Sequence, residues 1–207
     1  MNGEIASSRR FLLGRLHSLA GIVPLGLFLL EHLYGNAIAM LGKEKYDRHI
    51  EMLLGIPFLP LLEIVFIALP LLYHAGYGIY IGMLSRHNPY RYAYQENWMF
   101  VLQRLSGFVT LIFVLYHVWS FRLSSLFFGT PVNYDAVQQH LAHPLIFLFY
   151  VLGVVATTFH FSNGLWTGLI TWGITRGPLA QRRSALIRNA AFILLTGVGL
   201  GTLLSFW

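Results

Sequence analysis

The sequence predicts an all-α, polytopic membrane protein with five transmembrane helices in a single transmembrane domain, residues 1–207. Three observations carry that expectation. The chain is 56% hydrophobic and only 11% charged, with a mean hydropathy of +0.61. A soluble domain carries about 25% charged residues, so this chain lacks the charge to cover a water-facing surface. Its apolar residues fall into five stretches, each long enough for the ~20 helical residues that cross a hydrocarbon core of ~30 Å. The alternating segments of about ten residues that build a membrane β-barrel are absent.

The first stretch covers about 11–41. It is too long for a cleavable signal, and no small-residue cleavage site follows it. The polar run GKEKYDRH leads to the second stretch, about 57–85, which Pro60 and Pro70 interrupt. Pro70 lies one turn before His74 and frees the carbonyl of Phe66, so a kink there would aim the histidine; membrane helices also carry such prolines without special purpose. SRHNPYRYAYQEN leads to the third stretch, about 99–128. GTPVNYDAVQQHLAH leads to the fourth, about 143–172, and TRGPLAQRRS to the fifth, about 185–207. The fifth has no histidine and almost no polar residue after Arg188, and is expected to pack outside the other four. Its GVGLG run follows no strand, so it reads as close helix packing rather than a dinucleotide fingerprint. Tyr90, Tyr92, Tyr94, Trp98, Trp172 and Trp207, near helix ends, read as an aromatic belt.

Charge sets the orientation. With the N-terminus inside, Arg9, Arg10, Arg15, Arg86, Arg91, Arg104, Arg176, Arg182, Arg183 and Arg188 fall on the inner side. Lys43, Lys45, Arg48 and Arg122 fall on the outer side. Ten of the 14 Lys and Arg inside is the positive-inside pattern, which leaves the C-terminus outside. The basic inner face suits lipid headgroups or a soluble protein partner; nucleic acid is not expected. The chain has no cysteine. Disulfides, thiolate metal sites and cysteine-held iron–sulfur clusters within it are therefore excluded.

Of nine histidines, His49, His87, His140 and His143 fall in loops or at helix ends and read as solvated or interfacial. His17 lies early in the first helix. The remaining four, His32, His74, His117 and His160, occupy one helix each, 42, 43 and 43 residues apart. YHAGYGIY around His74 matches FHFSNGLW around His160, and HLY at His32 matches HVW at His117. A two-helix unit is thus repeated at an offset of 85 to 86 residues. Each of the four lies in the exit half of its helix. Because the helices alternate in direction, His32 and His117 share an outer level, and His74 and His160 an inner one.

Two histidines at one depth on facing helices suit the two axial positions of a haem iron, and two such pairs suit two haems b. Small residues three or four positions on, Gly35, Gly78, Ser120 and Gly164, leave room for a flat macrocycle. A lone membrane histidine is more often a helix–helix hydrogen-bond partner or a proton-path residue. The fixed interval argues for haem; zinc prefers three or four clustered ligands. Near the inner level, Arg15, His17, Ser18 and Arg104, with Ser106 and Trp98 close by, are candidates to hold haem propionates; the arginines equally suit headgroups. On the outer side, Glu63 and Glu31 are candidate proton acceptors for quinone chemistry beside the outer haem. A Glu paired with Lys or Arg at the interface is the plainer alternative.

The strings RRFLLGRLHSLAGIVPLGLFLLEHL, LEIVFIALPLLYHAGYGIYI, NWMFVLQRLSGFVTLIFVLYHVW and TTFHFSNGLWTGLITWGIT resemble the dihaem cytochrome b membrane anchors of succinate dehydrogenase in their single-subunit, Bacillus-type form. The likeness covers nearly the whole chain and is weakest at about 42–56, about 122–142 and in the fifth helix. The resemblance implies His74 and His160 on the inner haem and His32 and His117 on the outer. It implies a flavoprotein and an iron–sulfur subunit on the cytoplasmic face, menaquinone reduced near the outer haem, and a bacterial plasma membrane. Another quinone-linked cytochrome b, serving a hydrogenase or formate dehydrogenase, would share the haem pattern. A proton channel or transporter would show a polar stripe along one helix, and only isolated polar residues occur.

Overall fold

The computed structural model describes residues 2–85 and 90–207, with side chains described from Ser8 onward; Arg86 and His87 lie outside the described residues. Among these residues the chain is all-helical, and five helical stretches are long and apolar enough to cross a membrane: Ser8–Leu41, Leu59–Leu84, Gln95–Phe128, Pro144–Thr171 and Pro178–Phe206.

The first span joins α1 (Asn2–Ile22) to α2 (Pro24–Ala37). Val23 bridges them, donating to Leu19 O and accepting from Leu27 N, so the rod stays continuous although Pro24 brings no N–H. A 3₁₀ turn (Ile38–Leu41) ends it at Gly42, whose φ of +105° turns the chain where a side chain would be strained. α3 (Lys43–Leu54) follows. The second span is α4 (Leu59–Glu63), a π turn (Ile64–Ala68) and α5 (Leu69–Leu84). The N–H of Leu69 reaches back five residues to Ile64 O, immediately before Pro70. The third is α6 (Gln95–Val118), a second π turn (Trp119–Leu123) and α7 (Ser124–Phe128). After α8 (Tyr134–Leu141), α9 (Pro144–Thr171) and α10 (Pro178–Phe206) form the last two spans.

Two expectations need correction. The fifth helix starts at Pro178, not near 185, because Pro at the first turn needs no N–H partner and the arginines that follow are good helix formers. The polar segments after the first and third spans are not plain loops. They contain α3 and α8, the latter capped by Asn133, whose side-chain oxygen accepts from Ala136 N at 2.9 Å.

The first four spans close a ring: α1 packs on α5, α5 on α6, α6 on α9, and α9 on α1. α10 lies outside the ring against α9 and α2. Small residues allow the close approaches. A Cβ at Gly199 would lie 2.6 Å from Val154, and one at Gly153 would collide with the Phe113 ring. Thr158 and Thr196 hydroxyls join α9 to α10 at 2.7 Å. Large apolar side chains such as Phe11, Leu72, Leu148 and Ile193 cover the outside, as lipid contact requires. At the end of the ring away from the N-terminus, α3 and α8 form a cap. Tyr46, 2% exposed, packs on Tyr134 and Phe206; Lys43 pairs with Asp135; Asp47 accepts from the N–H of Tyr134 at 2.7 Å.

Candidate functional site

The ring interior brings the four spaced histidines together in two pairs. Toward the N-terminal end, the near level, His74 on α5 faces His160 on α9, with ring centroids 6.0 Å apart and planes at 88°. At the far level, His32 on α2 faces His117 on α6 at 5.5 Å and 83°. Imidazole nitrogens bind metals at about 2 Å, so two rings on opposite sides of one ion have centroids roughly 6 Å apart. The near pair stands at that separation and the far pair is somewhat closer. Among the described residues no group of three or more His, Cys, Asp or Glu is placed to hold a metal, so the donors are paired rather than clustered.

The near pair is built by a repeated device. His74 Nδ1 lies 3.0 Å from His17 O, and His160 Nδ1 lies 3.0 Å from Gln103 O. A ring N–H donated to a carbonyl fixes the tautomer and leaves Nε2 free as a metal ligand. Four residues on from each carbonyl is a glycine. A Cβ at Gly21 would strike the His74 ring, and one at Gly107 would lie 2.8 Å from His160 Cε1. His17 and Gln103, Gly21 and Gly107, and His74 and His160 are each 86 residues apart. The repeat read in the sequence is therefore a repeat of histidine, carbonyl acceptor and glycine slot.

The far pair is held differently. His117 stacks on Phe113 at 5.7 Å and touches Tyr150 and Phe121, and its Nδ1 is buried without a hydrogen-bond partner. Asn36 Nδ2 donates to His32 O at 2.8 Å and lies 3.4 Å from His32 Nε2.

The small residues expected beside the ligands lie elsewhere. Gly35 backs onto His49, Gly78 onto His17 and Gly164 onto Gln103, while Ser120 donates to Tyr116 O. The slots come from Gly21 and Gly107 on the neighbouring helices. Of the propionate candidates, His17 stacks on His74 at 4.0 Å, with its Nδ1 buried and unpartnered. Arg15 lies over Phe11 and Trp172, and Arg104 over Phe100 with Nη1 donating to Phe100 O; both keep a buried Nε without a partner. Ser18 Oγ sits 3.3 Å from where a Gly168 Cβ would be, and Ser106 donates to Gln103 O. Glu63 is bound by Arg122 through Nε and Nη2, at 3.0 and 2.6 Å, whereas Glu31 is exposed.

His140 departs from the solvated reading. Its ring packs 5.0 Å from Phe121 and 5.5 Å from Tyr150 at the base of the cap, and burial lowers its pKa. His49 has a buried Nε2, and His143 accepts from Leu145 N at the start of α9. Sequence reasoning missed Gln103 and Asn163. Asn163, 1% exposed, donates to Gln103 Oε1 at 2.8 Å, and Gln103 Nε2 donates to His160 O at 3.1 Å. Only their presence beside His160 and opposite it in the ring gives them meaning.

The sequence is similar to those of known proteins. A family model described as succinate dehydrogenase/fumarate reductase transmembrane subunit matches residues 82–199, which include His117 and His160. The succinate dehydrogenase cytochrome b558 subunit of Bacillus subtilis (strain 168) is 44% identical over 202 residues, 98% of this chain and 100% of that relative. The chain belongs to the succinate dehydrogenase/fumarate reductase transmembrane subunit family. Within that family the model spans the second two-helix unit, and the full-length relative extends the likeness over the first. The resemblance seen in the four motif strings is thereby confirmed at the level of the family.

Proposed function

We propose that this chain is the membrane anchor and electron-transfer subunit of succinate dehydrogenase, passing electrons from a cytoplasmic iron–sulfur subunit through two b haems to menaquinone. The observation that carries the reading is the pair of facing histidines at each of two levels, one ring from every span of the closed bundle. The name of the 44% identical relative, a cytochrome b558 subunit of succinate dehydrogenase, supports it.

A haem, when bound, supplies one-electron chemistry whose potential the axial ligands and their surroundings tune. The chain supplies the rest. His74 and His160 would hold the inner haem and His32 and His117 the outer one. Gly21 and Gly107 keep the neighbouring backbones clear of the inner rings, while His17 O and Gln103 O hold their Nδ1 protons. The partnerless Nε atoms of Arg15 and Arg104, with His17 and Ser18, are suited to propionate oxygens. Glu31 and Glu63 flank the outer level, where they would accept protons from the outer side and hand them on to the quinone as it is reduced. The iron–sulfur subunit, joined to a flavoprotein subunit, docks on the arginine-rich end at Arg176, Arg182 and Arg183. That end faces the cytoplasm of a bacterial cell whose plasma membrane, with its lipid, surrounds the five spans.

The test is a dithionite-reduced minus oxidised spectrum of the purified complex with haem counted per chain. The expected count is near two, falling to near one in His160→Ala, with succinate reducing the haem in the intact complex. A colourless protein overturns the proposal.

A further inference from the structure

Among the described residues, Glu63–Arg122 is the ion pair that joins two spans. It joins the second span to the third in the far half of the bundle, and both side chains are 29% exposed. Arg122 grips one carboxylate oxygen with two N–H groups. Each residue sits at a π turn: Glu63 ends α4 immediately before Ile64–Ala68, and Arg122 lies inside Trp119–Leu123. Such turns occur where an α-helix is made to re-aim a side chain, and often at functional positions. The turn in the third span begins two residues after His117. Within it, next to Arg122, Phe121 lays its ring 5.5 Å from His117 and 5.0 Å from His140. His117 has no hydrogen bond to hold its Nδ1, unlike His74 and His160. What fixes this ring is packing by Phe113, Tyr150 and Phe121, and the last of these sits on the π turn.

We infer that Glu63 and Arg122 form a clip that positions the far-level ligand pair, locking the second and third spans together and holding Phe121 against His117. They are positioning residues. The inference rests on the reading of the histidines as axial haem ligands. In an apolar slab a lone charge is costly, so each partner has strong reason to keep the other. Lysine at 122 retains the charge but loses the planar fork that grips one oxygen from two nitrogens.

The experiment uses the whole complex in its membrane and reads the low-spin ferric haem signals by electron paramagnetic resonance, with a redox titration of each haem. The far-level signal is the one that disappears in His32→Ala. Glu63→Gln and Arg122→Lys are expected to shift that signal and its midpoint while the near-level signal stays in place. The charge exchange, Glu63→Arg with Arg122→Glu, is expected to move it back toward wild type. Unchanged far-level signals in the single variants overturn the clip, even if turnover and its pH profile change, since that is the behaviour of a carboxylate serving only as a proton acceptor. An exchange no nearer wild type than the singles also overturns it. If Glu63→Gln fails to accumulate in the membrane, Arg122→Lys decides by itself. Wild-type protein without haem would instead overturn the proposed function.

Discussion

At the scale of single residues, glycines decide whether the near-level rings can sit where they do. A Cβ at position 107 would lie 2.8 Å from His160 Cε1 and 3.1 Å from its Nδ1, closer than real contacts allow. The ring cannot simply back away, because its Nδ1 is tied to Gln103 O. Alanine in place of glycine favours a helix by about 0.5–1 kcal/mol, so Gly107→Ala should not unfold α6. Haem per chain should nevertheless fall from near two toward one, measured by pyridine haemochrome. Gly14→Ala, where nothing lies within 4 Å, should keep both. Equal haem in the two variants would show that the slot does not matter. The four paired histidines were legible in the sequence because ionisable groups are rare in apolar helices and their interval is regular. Gly21 and Gly107 were not, because 20 glycines are scattered through the chain and only the position of a ring across the helix gap singles out two. Gln103 and Asn163 escaped for the same reason: an amide has no signature until its partner is placed.

At the scale of elements, the spans were legible and the cap was not. Twenty apolar residues leave a clear mark on a hydropathy profile; α3 and α8, at 12 and 8 residues, hide among charges. Their inward faces show only in the fold, where Tyr46 is enclosed by Tyr134 and Phe206. Burial, with Asp47 beside it, pushes the Tyr46 phenol up to about 12 from an ordinary value of 10.0. The consequence has a definite sign. Below pH 10 the phenol is neutral in both folded and unfolded chains, and its contribution to cap stability is complete. Between about 10 and 12 only the unfolded chain gives up the proton, so stability drains away as pH rises. The thermal midpoint of the protein in detergent should therefore fall across that window, and fall less in Tyr46→Phe. Identical slopes in the two proteins would remove Tyr46 as the cause. The π turns were equally hidden, since no local residue preference announces an i→i+5 bond. They surface only with the Glu63–Arg122 pair that bridges them.

At the scale of the whole molecule, orientation follows from a physical asymmetry that the bundle preserves. The ring places Arg9, Arg10, Arg91, Arg176, Arg182 and Arg183 at the end holding the N-terminus. Lys43 and Arg48 at the other end are engaged with Asp135 and Glu44. Among the described residues none of these near-end arginines is in an ion pair, so the positive-inside rule predicts a cytoplasmic near end, which an acidic face of a soluble subunit could use. Under the proposed function, this orientation would decide which histidine level receives electrons first and on which side of the membrane a quinone at the far level would take up its protons. The chain has no cysteine, so single introduced thiols report sidedness without background. Gln138 on α8 and Leu179 at the start of α10 are both exposed, at opposite ends of the bundle. In intact cells, after removal of any outer envelope, a membrane-impermeant thiol reagent should label Gln138→Cys. It should reach Leu179→Cys only after the membrane is opened. The opposite pattern would put the arginine-rich end outside, away from any cytoplasmic dehydrogenase. It would then force the order of the two levels, and the side on which protons are handled, to be reversed.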